Sequence, residues 1–239
     1  MREPLTFSGT MPANILPFKA DLTVDEPAYR RHLRWLAGTP GVTGIVANGH
    51  AAEVASLSRE ERKRTLAIAL DEVAGACPII AGVYTDGTAE AVALAKDAQA
   101  AGAAGVLLFP PTLFMWGAQV KPDMVLKHYS EVATVDLPII AFQYPPASGI
   151  GYSPETLARI AEIPLVLGVK DWSNEIVSFE RNLRAARRDP VFVHDVPDGE
   201  LPARGRWRHL RHGQRRRGPP GRALRGLPEG RPRRCPAHQ

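Results

Sequence analysis

The sequence predicts an α/β chain built on a parallel sheet and, within that class, an incomplete (β/α)8 barrel. Three observations carry the prediction. Short apolar runs bounded by glycine or proline recur along residues 1–195, amphipathic segments of helical length lie between them, and no Gly-rich phosphate turn interrupts the series. Strands covered on both faces read as continuous apolar runs, whereas helices show a period near 3.6. Their alternation makes consecutive β–α units.

The runs follow one another along the chain. A weak first member, SGTMPANI (8–15), precedes TGIVANG (43–49), PIIAGVY (78–84), AGVLLFPP (104–111), PIIAFQYP (138–145), PLVLGVKD (164–171) and a seventh, DPVFVHD (189–195). Helix starts are marked between them. Thr23 with Glu26 and Ser58 with Glu61 have capping-box spacing, and Ser153 stands before Pro154 as a cap before a first-turn proline. In 58–75, Leu66, Ile68, Ala69, Leu70 and Val73 oppose Arg59, Glu60, Arg62, Lys63 and Asp71. Segments 87–102, 121–135 and 173–188 read similarly. A doubly wound dinucleotide fold would offer G-x-G-x-x-G after an early strand, but 48–53 reads NGHAAE. Six or seven units in series favour the barrel, whose usual length is about 250 residues.

Charge divides the chain in two. Residues 200–239 hold twelve arginines against two glutamates, a net +10, so that residues 1–199 carry −5 of the chain's +5. The body has no electrostatic reason to seek a phosphate backbone. Cys77 and Cys235 are too few for a disulfide framework or a cysteine metal site. The N-terminus lacks an apolar signal core, and the most apolar window is broken by Pro110 and Pro111. The expectation is a cytoplasmic protein with no metal or nucleotide cofactor, no nucleic-acid partner and no membrane partner.

In a barrel, active-site groups sit at the C-terminal ends of strands. Those positions hold Asn48, Gly49, His50 and Glu53; Tyr84, Thr85 and Asp86; Thr112; Phe142, Gln143 and Tyr144; and Lys170 and Asp171. Lys170 follows the buried-looking run LVLGV. An ammonium there is partly desolvated, which favours the neutral amine that attacks a carbonyl. The bland alternative is a strand-end lysine in solvent or paired with Asp171.

Residues 41–66, 78–111 and 137–171 resemble the dihydrodipicolinate synthase/N-acetylneuraminate lyase family, and the similarity runs from about residue 5 to about 195. The resemblance implies a (β/α)8 barrel whose sixth strand carries a lysine, here Lys170, that forms a Schiff base with pyruvate or a related 2-oxo acid. It also implies a homo-oligomer, a tetramer or a dimer.

The motifs depart from the family pattern at several points. Where the family has a Gly-Thr-Thr-Gly-Glu turn that binds the substrate carboxylate, this chain reads Gly49-His50-Ala51-Ala52-Glu53, without either hydroxyl. His50 either binds the carboxylate or packs at the barrel mouth. Phe142 stands at the catalytic tyrosine's position, and Tyr144 follows two residues on, hence on the same strand face. Ala147 replaces the synthase's arginine, and Thr112-Leu113 its aromatic pair. Synthesis of dihydrodipicolinate and cleavage of sialic acid are therefore not expected. The expectation is a Schiff-base lyase or aldolase for C–C cleavage, condensation or dehydration. Lys170 and Tyr144 are its catalytic candidates, and Gly49, His50, Ala51 and Phe142 its substrate-binding ones. The alternative is a catalytically silent member that binds ligands or serves assembly. A weaker one is nucleic-acid binding through the basic tail.

The tail, 196–239, is rich in Arg, Gly and Pro, and its apolar residues follow no usable period. It reads as a disordered extension or as a shifted reading frame. Codons for RWRHLRHGQRRRGP (206–219), read from the second base, permit AGAISVTANVVAD, a pattern expected of the family's eighth strand. On that expectation the barrel domain is 1–195.

Overall fold

The computed structural model describes residues 10–117, 121–173 and 175–185, with the backbone alone at 116, 146 and 191–194. Six parallel strands stand side by side in chain order: β1 (Ile45–Ala47), β2 (Ile79–Val83), β3 (Gly105–Leu108), β4 (Ile139–Gln143), β5 (Val166–Asp171) and β6 (Val191–His194). Residues 10–13 add a first strand to the other edge of β1, through parallel bridges Thr10–Val42 and Ala13–Val46. β5 is therefore the sixth strand, as the sequence predicts. The connecting helices are α1 (Glu26–Ala37), α2 (Arg59–Val73), α3 (Thr88–Ala101), α4 (Pro122–Ala133), α5 (Pro154–Ala161) and α6 (Ile176–Ala185).

Two apolar clusters show how the sheet curves. The larger joins the outer strand faces to the helices, through residues such as Tyr29, Leu33, Ile68, Tyr129 and Leu157. The smaller is made of Met11, Ala13, Val46, Ile80, Leu107, Phe109, Ile140 and Phe142, and no α-helical residue belongs to it. Ala13 and Phe142 lie four strands apart, which in a flat sheet would separate them by roughly 20 Å. Their membership of one cluster means that the sheet wraps around it. The described α-helices contribute only to the outer cluster, so the described strands form an incomplete (β/α) barrel and not a doubly wound sheet.

The sequence marks most element boundaries correctly. Ser58 caps α2 by accepting from the Glu61 N–H, while the Glu61 carboxylate accepts from the Ser58 backbone. Ser153 caps α5 with Pro154 in its first turn. α1 is the exception. Its cap is Asp25, whose carboxylate accepts from the Ala28 N–H, while Thr23 bonds to Asp21 in the preceding turn. Asp25 satisfies the same exposed N–H group more directly, so the expected Thr23–Glu26 box does not form.

One irregularity matters for the site. β4 and β5 pair as Ile139–Val166 and then Ile140–Gly168, so β5 holds one extra residue, Leu167. Strict alternation from Val166, which faces the helices, would turn residue 170 toward the helices as well. The bulge restores the phase, leaving Val169 outward and Lys170 beside Phe142 on the barrel's inner face. The expected tail, 196–239, and its proposed frame shift lie outside the described residues.

Candidate active site

Asn48 ends β1 in the left-handed region at φ 54°, and its side chain is fixed from both sides. Its amide donates to the Arg62 carbonyl at 2.9 Å, and its carbonyl oxygen accepts from the Thr65 hydroxyl at 2.8 Å. β2 comes so close that a Cβ on Gly82 would lie 1.9 Å from the Asn48 carbonyl oxygen, so that position admits only glycine. These contacts aim the turn of Gly49, His50 and Ala51. Ala51 packs against the inner cluster where a hydroxyl would otherwise face it.

Two strands away from β2, the end of β4 supplies Phe142 and Tyr144. Gln143, between them, points outward. Its amide donates to the Tyr152 carbonyl at 2.9 Å and accepts from the Tyr152 N–H at 2.8 Å. This two-way clamp closes the loop 144–152, and Gly151 packs so tightly on it that a Cβ would sit 2.6 Å from the Tyr144 carbonyl oxygen. Tyr144 is thereby held over the barrel mouth, where its hydroxyl is hydrogen-bonded to His50 Nε2. A bond between the ends of strands three places apart closes the mouth across the curved sheet. Burial pushes the Tyr144 phenol well above its ordinary range, with Tyr84 adding to the effect, so it is a protonated donor at neutral pH.

Lys170 is 5% exposed and lies opposite Phe142 in the β4–β5 pairing. Its Nζ stands 5.0 Å from the centroid of the Phe142 ring, within the range in which a cation is drawn to an aromatic face. Asp171, the next residue, faces away. Its carboxylate accepts from Asn182 of α6 and from the Ser173 N–H, so it anchors the strand end to a helix. The sequence alternative of a solvent-exposed Lys170 does not hold.

The sequence candidates thus divide by strand face. His50, Ala51, Tyr84, Phe142, Tyr144 and Lys170 gather on the inner side. Asn48, Gln143 and Asp171 turn outward as anchors, and Asp86 accepts from Thr112 in the adjoining loop. Thr85 and Glu53 join no inner contact among the described residues. Two members escaped the sequence reading. Phe109 stacks against His50 at 4.4 Å and Phe142 at 4.7 Å, and Trp172 meets Tyr144 at 5.7 Å. Trp172 stands two residues past Lys170, so the period of two would have found it. No grouping of histidine, cysteine, aspartate and glutamate among the described residues could hold a metal ion. No described helix is long and apolar enough to cross a membrane.

The described strands define an incomplete β/α barrel with a buried lysine on its sixth strand, and comparison with known proteins narrows that class. Residues 6–193 match the dihydrodipicolinate synthetase family, and the chain belongs to that family. It is 36% identical over 166 residues to a 4-hydroxy-tetrahydrodipicolinate synthase of Acidiphilium cryptum, covering 69% of this chain and 55% of that one. The corresponding synthase of Gluconacetobacter diazotrophicus is 33% identical over 200 residues, 83% of this chain and 66% of its own. Among solved structures, the Acinetobacter baumannii dihydrodipicolinate synthase complexed with pyruvate superposes with a TM-score of 0.72 at 27% identity, over 80% of this chain and 64% of that one. The chain thus spans between about half and two thirds of these relatives' length.

Proposed function

We propose that residues 1–195 form the catalytic barrel of a Schiff-base lyase or aldolase acting on a 2-oxo acid, with 196–239 as a separate tail. The observation that carries this reading is the burial of Lys170 against Phe142 at the barrel mouth. The Lys170 amine adds to the C2 carbonyl, and loss of water gives an iminium that acts as an electron sink for the adjacent bond. Phe142 lies under the position where that positive charge develops. The Gly49–His50–Ala51 turn takes the carboxylate end. Tyr144 and His50 exchange the proton, because the buried phenol stays protonated and touches the imidazole. The family's pyruvate-binding precedent, the A. baumannii complex, supports pyruvate as the first substrate to try. Membership of an oligomer-forming family supports a homo-oligomer, although one neighbour is described as a monomeric variant.

A catalytically silent ligand-binding role is the second reading, favoured by the loss of both turn hydroxyls at His50 and Ala51. The two separate in deuterated water. An enamine exchanges the methyl protons of pyruvate, so the wild-type chain is expected to incorporate deuterium and Lys170→Ala is expected to stop doing so. A protein that binds pyruvate without any exchange would refute catalysis and leave the silent reading.

A further inference from the structure

The lysine's surroundings are unusual in being made of rings. His50, Tyr84, Phe109, Phe142, Tyr144 and Trp172 form one continuous cluster, with neighbouring centroids 4.4–6.4 Å apart. Phe109 and Phe142, each 1% exposed, make its floor. His50, Tyr84, Tyr144 and Trp172 are half-buried and rim the mouth. The polar tips of His50 and Tyr144 are engaged with each other. Lys170 lies over the Phe142 ring, and iminium formation commits it to the first substrate, while Arg62 of α2 is engaged with the Tyr84 backbone carbonyl at 2.6 Å.

We infer that the second subsite, which receives or releases the carbonyl partner, takes an aryl group and not a carboxylate-bearing chain. This rests on the Lys170 Schiff-base reading. A carboxylate pressed into the ring wall would lose water without gaining a cation. A planar apolar ring would pack against Tyr144 and Trp172, which already meet edge-to-face at 5.7 Å, above the Phe109–Phe142 floor. In the cleavage direction the substrate is a 4-hydroxy-4-aryl-2-oxobutanoate held as the Lys170 iminium at C2. The C4 hydroxyl gives its proton to the Tyr144–His50 pair as its electrons form the aldehyde C=O. The C3–C4 bond breaks, and its electron pair moves through C2–C3 to nitrogen as an enamine. C3 then takes a proton, and water hydrolyses the iminium to free pyruvate and the aryl aldehyde.

The test compares kcat/KM of the full chain on 4-hydroxy-4-phenyl-2-oxobutanoate and on 4-hydroxy-2-oxopentanedioate, which carries a carboxylate in place of the ring. The phenyl compound is expected to be preferred by about tenfold or more. Trp172→Ala should erase most of that preference by lowering phenyl cleavage selectively, and Trp172→Phe should restore it. Pyruvate deuterium exchange, run alongside, separates the two levels of the argument. Exchange with equal or reversed preference overturns the aryl subsite alone, as does exchange with no cleavage of either compound. A preference that survives Trp172→Ala also overturns it. Absence of exchange in the wild-type chain overturns the Schiff-base reading and the subsite with it.

Discussion

At the scale of single residues, the account turns on which groups face the barrel interior. Phe142 occupies the position where the family resemblance places a tyrosine, and the phenol reappears two residues on at Tyr144, bonded to His50. If the two act as one proton-transfer unit, Tyr144→Phe and His50→Ala should each lower turnover by about 10²–10⁴-fold. The double variant should then be little worse than either single one, because members of a unit are not additive. Steady-state kinetics on the four proteins checks this, and additive losses would mean that the two side chains act separately. Lys170 and Tyr144 were legible in the sequence because strand ends and the period of two mark them. Phe109 and Trp172 were not singled out, since an aromatic beside an apolar run reads as core until its face is known. His50 packs at the barrel mouth against Phe109 and bonds to Tyr144, and its binding of a carboxylate stays a proposal.

At the scale of elements, the sequence conveyed the strands better than their phase. PLVLGVKD reads as one regular strand, yet a regular strand starting from Val166 would direct Lys170 toward the helices. The Leu167 bulge, which places it inside, depends on pairing with β4 and leaves no local signal. The α1 cap likewise went to Asp25, because two acceptors stood within reach and spacing alone could not rank them. The packing of α4 against the start of α3 was also invisible, and it has a consequence for pH. His128 is buried beside Phe114 and Tyr129, with Nδ1 2.9 Å from the Thr88 hydroxyl. Burial pushes it down to about 4 from an ordinary 6.5. The unfolded chain therefore binds more protons between those values, and stability is expected to fall as pH drops from about 6.5 to 4, by up to about 3 kcal/mol. Urea unfolding across that range checks this, and His128→Gln should flatten the dependence. An unchanged slope in the variant would assign the effect to other groups.

At the scale of the whole molecule, one topological fact makes the site. Seven parallel strands in chain order curve so far that the turn after β1 meets the end of β4, and residues from positions 11 to 172 share one interior. The serial β–α pattern and the missing phosphate turn made this architecture readable, because alternation and connection length restrict a parallel sheet to few arrangements. Neither observation could show that the interior wall is aromatic, since that depends on which residue of each strand end faces inward. The central claim is that Lys170 is a buried nucleophile toward a 2-oxo acid. Borohydride reduction of the folded chain in the presence of pyruvate, followed by peptide mass spectrometry, tests it most directly. The account predicts a reduced pyruvyl adduct confined to Lys170 and absent from Lys170→Ala. A folded chain that acquires no adduct, or acquires it equally on other lysines, would contradict it.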